Sequence, residues 1–172
     1  MNHRELVMPE LVKFMQRYDL EKGKNKKVLE IGCGNDKDFQ NYFLSLGYDY
    51  YSIDNNPKFE NEKCKIASME NISFGNNSFD LVFSCHSFEH TEMPVKALQE
   101  MKRVTKQYIV IITPHHCIHQ VCNADFDHIS ISTEYQMERW FRYVGITKIF
   151  IYTQKENIKL EQNFNLISVG CK

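Results

Sequence analysis

Val28-Leu29-Glu30-Ile31-Gly32-Cys33-Gly34-Asn35, answered by Ser52-Ile53-Asp54-Asn55 about twenty residues later, decides how this chain is read. An apolar run carrying one acid opens into Gly-x-Gly. The pattern predicts a buried strand, a tight turn where backbone approaches a ligand, and the start of a helix. The second acid closes the next short apolar run, Tyr50 to Ile53, where a carboxylate can accept bonds from a ribose diol. Together the two stretches describe a nucleoside-binding α/β sheet.

Local charge separates the two ligand classes that use this arrangement. A dinucleotide fingerprint wants a third glycine and a helix N-terminus open to pyrophosphate. Here the third-glycine position is Asp36, with Asp38 two residues on and Glu30 just before the turn. Three carboxylates repel a pyrophosphate, and Lys37 alone does not reverse that balance. A cationic nucleoside suits the site better: Glu30 receives an ammonium, directly or through water, and a sulfonium is not repelled. Asp36 and Asp38 also complement the helix dipole.

The rest of the chain alternates between strand and helix patterns. Leu6, Met8, Leu11, Val12, Met15 and Tyr18 mark an amphipathic leading helix within residues 1–20, placed to cover the sheet or to act as a lid. A helix is expected over 36–46, ended by Gly47. Strands follow near 50–53, ending near Ile66, and over 79–84, the last preceded by the turn Gly75-Asn76-Asn77-Ser78. Pro94 suits a helix start, with Val95, Leu98, Met101 and Val104 facing inward. A fifth strand spans 108–113. Residues 132–144 read as a helix with Ser132 or Thr133 at its N-cap and Gly145 at its end. Strands over 146–152 and 165–170 are joined by a short polar link, which predicts an antiparallel hairpin. Strand-helix alternation implies a parallel sheet covered on both faces, and ligands in such sheets bind beyond the C-terminal strand ends. Trp140, Phe141 and Tyr143 are expected in the core, while Phe126 could wall a pocket.

At 172 residues the chain suits one domain spanning 1–172, with ordinary hydrophobic (42%) and charged (25%) content for a globular protein. A net charge of −1 gives no electrostatic reason to expect nucleic-acid binding, and Lys22 to Lys27 reads as a solvated loop. No targeting signal and no membrane-length apolar run are present, so no membrane association is expected. A cytoplasmic location is the default, with the six irregularly spaced cysteines as thiols.

Glu30-Ile31-Gly32-Cys33-Gly34-Asn35 resembles the first motif of class I S-adenosylmethionine-dependent methyltransferases. The stretch from Ile72 to His90, with Phe79-Asp80-Leu81-Val82 running into Glu89-His90, resembles the fourth-strand region of their small-molecule branch (methyltransferase type 11/12-like). The likeness continues through Val95 to Val104, Ile111 to Pro114 and His128, with the motifs in order. It implies a Rossmann-like methyltransferase fold: a seven-stranded, mostly parallel sheet of order 3-2-1-4-5-7-6 with an antiparallel final strand. It also implies S-adenosylmethionine as cofactor, with Gly32, Cys33 and Gly34 beside its methionine part and Glu30 near the amino group. Asp54 would take the ribose hydroxyls and Asn55 would lie under the adenine. Where the family often has an acid for the adenine amino group this chain has Ser68; the neighbouring Met69 or Glu70 can substitute. Cys85 and His86 begin the loop that faces the methyl group.

Methyl transfer from a sulfonium is an in-line displacement, so positioning does much of the work. A base near neutral pKa helps an alcohol or phenol nucleophile, and histidine supplies one. Six of the seven histidines follow strands four and five, which names His86, His116 and His128 as pocket residues and candidate bases. The segment from His115 to His128 also contains metal-ligand residue types, but no Cys-x-x-Cys or paired spacing, and reads as a polar substrate-pocket loop with no metal. The Asn-Pro-Pro-Tyr type of motif used for base methylation is replaced by Ser84-Cys85-His86-Ser87. The expected acceptor is therefore a small polar molecule, methylated on O or N. A methyltransferase acting on a macromolecule, and a non-catalytic nucleoside-binding regulator, are the alternatives.

Overall fold

A computed structural model describes residues 3–35, 37–115, 127–155 and 164–172. The candidate base His116, and Asp36 and Phe126, lie outside the described residues. The chain enters through helix α1 (His3–Arg17), then β1 (Lys27–Ile31), α2 (Asp38–Ser45), β2 (Asp49–Asp54), β3 (Cys64–Ile66) and β4 (Phe79–Cys85). Helix α3 (Pro94–Val104), β5 (Thr105–Pro114), α4 (Glu134–Tyr143), β6 (Lys148–Lys155) and β7 (Phe164–Cys171) follow. The strands form one seven-stranded sheet in the order β3-β2-β1-β4-β5-β7-β6. Strands β1 to β5 pair in parallel, and β7 runs antiparallel to both β5 and β6, as expected. Among the described residues, no helix is long and apolar enough to cross a membrane.

The two-residue period of the strands builds two cores. Leu81, Phe83 and Cys85 of β4, with Val110 and Ile112 of β5, point to one face and bury against Val7, Leu11, Phe14 and Met15 of α1 and Phe39 and Phe43 of α2. Val82, Ile109 and Ile111 point to the other, against Ala97, Leu98 and Met101 of α3 and Met137 and Phe141 of α4. A register shift between Phe79 and Leu81 returns Phe79 to the second face, where it meets Phe74 edge-on at 4.9 Å. Continuous apolar runs in β4 and β5 are therefore what a sheet covered on both sides demands.

Several local expectations need correction. In α1 the buried stripe is Val7, Leu11, Phe14 and Met15, with Val12 only half-buried, so the helix is turned relative to the predicted face. In α4, Phe141 is fully buried and Trp140 half-buried, but Tyr143 is 76% exposed. Residues 140, 141 and 143 subtend too wide an arc of a helix for all three to face one core. β5 starts at Thr105, directly after α3, where the sequence pattern predicts residue 108. The cap signals read well: Thr133 accepts a bond from Gln136 N at 3.1 Å, and Gly47 and Gly145 take left-handed φ values of 84° and 78° at helix ends.

One charged clamp holds the loop after β3 onto α3. Arg103 donates to Ile72 O and Phe74 O, each at 2.7 Å, and to both oxygens of Glu100. Glu100 Oε2 accepts from Ile72 N at 2.9 Å. The Arg103 guanidinium keeps the Glu100 carboxyl below its ordinary range.

Candidate active site

The C-terminal ends of β1, β2, β3 and β4 surround a cleft of about 660 Å³. Its position, where the winding turns from β1 toward β2 on one side and β4 on the other, is the crevice that open α/β sheets offer to ligands.

The floor comes from the loop after β1. Gly32 and Gly34 take φ values of 73° and 55°, a region that side-chain-bearing residues rarely adopt. Gly32 N donates to Ile53 O at 2.8 Å, and its carbonyl accepts from Ser87 Oγ at 3.1 Å. A Cβ at Gly32 would sit 2.1 Å from Ser87 Oγ and 2.4 Å from Ser87 Cβ. The loop is thereby wedged between β2 and the loop after β4.

Asp54 closes β2 and joins two loops. Its Oδ2 accepts from Gly34 N and its Oδ1 from Asn56 N, both at 2.9 Å. Each carboxylate oxygen has a second lone-pair direction for a ligand hydroxyl. Asn55 lies beside it on the cleft wall.

The sequence-predicted residues divide by side chain. Gly32, Gly34, Asp54, Asn55, Ser68 and Met69 line the cleft, and so do Cys85 and His86. Glu30 and Cys33 do not line it. The Glu30 carboxylate is buried and accepts from Tyr50 OH at 2.5 Å; burial, then the Glu30 charge, pushes the Tyr50 phenol up. Cys33 Sγ stands 3.3 Å from Cys64 Sγ, and burial pushes its thiol up to about 12. Cys33, Cys64, Cys85 and Cys171 are thiols.

Glu70 ties the loop after β3 to the loop after β4. Its two oxygens accept from Ser68 Oγ and Thr91 Oγ1. Thr91 Oγ1 in turn accepts from Met93 N at 3.0 Å. With Ser68 in place of the acid that the resemblance implies, the nearest carboxylate on this wall belongs to Glu70.

His86, with a φ of 49°, is held in the left-handed region at the end of β4. Its Nε2 lies 3.0 Å from Asn165 Oδ1 and its Nδ1 lies 3.7 Å from Glu89 Oε1. An amide oxygen only accepts, so the Asn165 contact puts the ring proton on Nε2 and leaves Nδ1 as the basic nitrogen. Asn165 belongs to β7, and nothing local in the sequence marks it as a partner of His86.

His128 does not line the cleft. It packs against His90, which does, with ring centroids 4.8 Å apart. His115 serves as a strut: it is buried, with Nε2 3.0 Å from Glu134 Oε1. The Thr153 hydroxyl, the amide at the start of α4 and His115 hold the Glu134 carboxyl down to about 2, against an ordinary 4.5. A depressed carboxylate stabilises the fold fully above its unfolded value, and that contribution is lost as pH falls through the folded one. Glu134→Gln should therefore lower the thermal midpoint at pH 7, and the gap from wild type should close between pH 4.5 and pH 2. The effect is modest because the side chain is 45% exposed. Circular-dichroism melts across that range check it; a gap that is constant with pH contradicts it.

Comparison with known proteins shows what this geometry is similar to. The family described as "Methyltransferase domain" matches residues 29–112, from within β1 through β5 to Ile112. No curated protein matches the sequence significantly. A S-adenosylmethionine-dependent methyltransferase from Archaeoglobus fulgidus superposes with a TM-score of 0.72 at 20% identity, covering 95% of this chain and 94% of that one. One from Mesorhizobium loti gives 0.69 at 12%, covering 91% and 95%. A chain of the complex between the Haloferax volcanii Trm112 methyltransferase activator and a protein described as a methyltransferase gives 0.69 at 13%, covering 92% and 91%. At these identities the solved structures speak for the fold. Family match and fold agree in direction: over residues 29–112 the chain is similar to the methyltransferase domain family, and its fold is that of S-adenosylmethionine-dependent methyltransferases.

Proposed function

We propose that this chain is an S-adenosylmethionine-dependent methyltransferase that transfers the sulfonium methyl to an oxygen or nitrogen of a small polar acceptor bound at the His86 end of the cleft. The observation that carries this reading is the polar wall beyond His86, made by Thr91, His90 and Asp127. A volume of about 660 Å³ falls within the range of small-molecule sites. A net charge of −1 gives no electrostatic reason to expect a nucleic-acid acceptor.

In this reading the backbone of Gly32 to Gly34 lies along the methionine part of the cofactor, and Asp54 accepts from both ribose hydroxyls. Asn55 and Met69 flank the adenine, and Ser68 with Glu70 receives its amino group. Cys85 and His86 face the methyl. Glu30 acts from behind the loop, through its negative charge, on the cofactor's ammonium. The acceptor's lone pair attacks the methyl carbon while the C–S bond breaks and its electron pair returns to sulfur. His86 Nδ1 takes the acceptor's proton. His128 supports His90 rather than touching the reacting atoms.

The test incubates the protein with S-adenosylmethionine and panels of small hydroxyl and amine compounds, reading S-adenosylhomocysteine release. With a turned-over acceptor in hand, His86→Ala should lower kcat by about 10²–10⁴ with S-adenosylhomocysteine affinity little changed. Full-rate turnover by His86→Ala would remove its role as base. Turnover of proteins or RNA but no small compound would contradict the acceptor class. The Trm112-complex relative brings one second reading, a protein partner that activates the chain, which co-purification from the native source would reveal.

A further inference from the structure

Glu89, His90 and His128 sit together beside the cleft, which His90 lines, with one ligand atom from each within 4.8 Å of the others. They come from two separate loops, the turn after β4 and the segment before α4. Three hydrogen bonds pin those loops to each other. His90 Nδ1 lies 3.0 Å from Asp127 O, Ser130 N donates to Glu89 O at 2.8 Å, and Ser130 Oγ donates to Thr91 O at 2.5 Å. The donor cluster is therefore a consequence of how two loops are fastened, and does not depend on extended side chains meeting by chance.

The His90 contact fixes more than position. A backbone carbonyl only accepts, so Nδ1 of His90 carries the ring proton and Nε2 presents its lone pair. An imidazole oriented by donating one nitrogen to a carbonyl is the arrangement that metal-ligating histidines use. Two imidazoles and one carboxylate suit a first-row divalent ion, and three protein ligands leave a coordination position for water or substrate. Glu89 is buried while His90 is exposed and lines the cleft, so an ion could enter from the cleft side.

We propose that Glu89, His90 and His128 bind a first-row divalent transition-metal ion whose remaining coordination position faces the acceptor. Ligand atoms around a tetrahedral ion with bonds of ~2.0–2.1 Å stand about 3.3 Å apart, so the cluster contracts by up to about 1.5 Å on binding. Resting on the methyltransferase reading above, the ion would hold an acceptor hydroxyl and lower its pKa. The oxygen then gives its proton to His86 Nδ1 and attacks the methyl, and the C–S electron pair goes to sulfur. Substrate selection would follow, favouring acceptors with an oxygen that can reach both the metal and the sulfonium.

The experiment titrates the chelator-treated, full-length protein with Co²⁺, followed by visible absorption and calorimetry. One equivalent should bind, be displaced by Zn²⁺, and bind at least about a hundredfold more weakly in His90→Ala and in His128→Ala. A Zn²⁺-soaked crystal should show an anomalous peak bonded to all three residues, a result that needs no variant to fold. Absence of Co²⁺ binding by the wild type, undiminished binding in both variants, or a peak elsewhere would each overturn the site. S-adenosylhomocysteine titrations on the same three proteins separate this outcome from the cofactor reading. Metal binding with the predicted variant losses, but without S-adenosylhomocysteine binding, would uphold the site and overturn the role given to the cleft.

Discussion

Asp54→Ala should reduce S-adenosylhomocysteine affinity by two to four orders of magnitude. The carboxylate stands at the end of β2 with one oxygen on Gly34 N and the other on Asn56 N, so its plane is set before any ligand arrives. Two ribose hydroxyls would donate to it, and hydrogen bonds to a charged group contribute roughly 1.5–3 kcal/mol each. Losing both gives about 3–6 kcal/mol, or a factor of about 10²–10⁴. Alanine also strips an acceptor from two backbone amides, so the β1 and β2 loops lose their common anchor and the real effect lies toward the upper end. Calorimetry measures the affinity, and circular dichroism should show a folded variant because the sheet contacts of β2 with β1 and β3 do not involve this side chain. An affinity within threefold of wild type would mean that the ribose is held elsewhere.

Gly32→Ala should both destabilise the fold and abolish cofactor binding. The φ of 73° costs a residue with a Cβ about 1–2 kcal/mol. The added methyl meets Ser87 Oγ at 2.1 Å and Ser87 Cβ at 2.4 Å. The hydroxyl can rotate away, but the Cβ moves only with the backbone of the loop that carries His86, so overpacking adds roughly 1–3 kcal/mol. The shift falls on the wall that the proposed function sets against the methyl group. A double variant, Gly32→Ala with Ser87→Gly, separates the two costs. It should recover the steric part in a denaturant titration and leave the backbone part. If the second change recovers no stability, the clash is not what makes glycine necessary.

Fold and cleft were legible because their signals are local. Each strand end that builds the cleft is announced by a change of pattern within a few residues: Gly-x-Gly after β1, Asp54 at the end of β2, Cys85-His86 at the end of β4. The hairpin over β6 and β7 follows from a short polar link, and the strand order follows from the family resemblance. What stayed hidden are pairs made by the fold across long separations. Asn165 reaches His86 from β7, Cys33 meets Cys64, Tyr50 caps Glu30, and His128 comes to His90. None of these has a periodicity or a spacing rule, since each depends on strand register and on how two loops are fastened. Glu30 shows the limit well: an acid in the right motif position was readable, but its burial behind the loop against a tyrosine required the register of β1 and β2. The helix faces erred for a simpler reason, because apolar residues on α1 and α4 outnumber the positions that one face can bury.

Parallel calorimetric titrations of the wild-type protein with S-adenosylmethionine, S-adenosylhomocysteine and NAD test the central claim most directly. The cleft, with Asp54 fixed by two loops and Glu30 rather than a cation behind the glycine turn, predicts one equivalent of each sulfur nucleoside and no NAD. Binding of NAD without either sulfur nucleoside would contradict it.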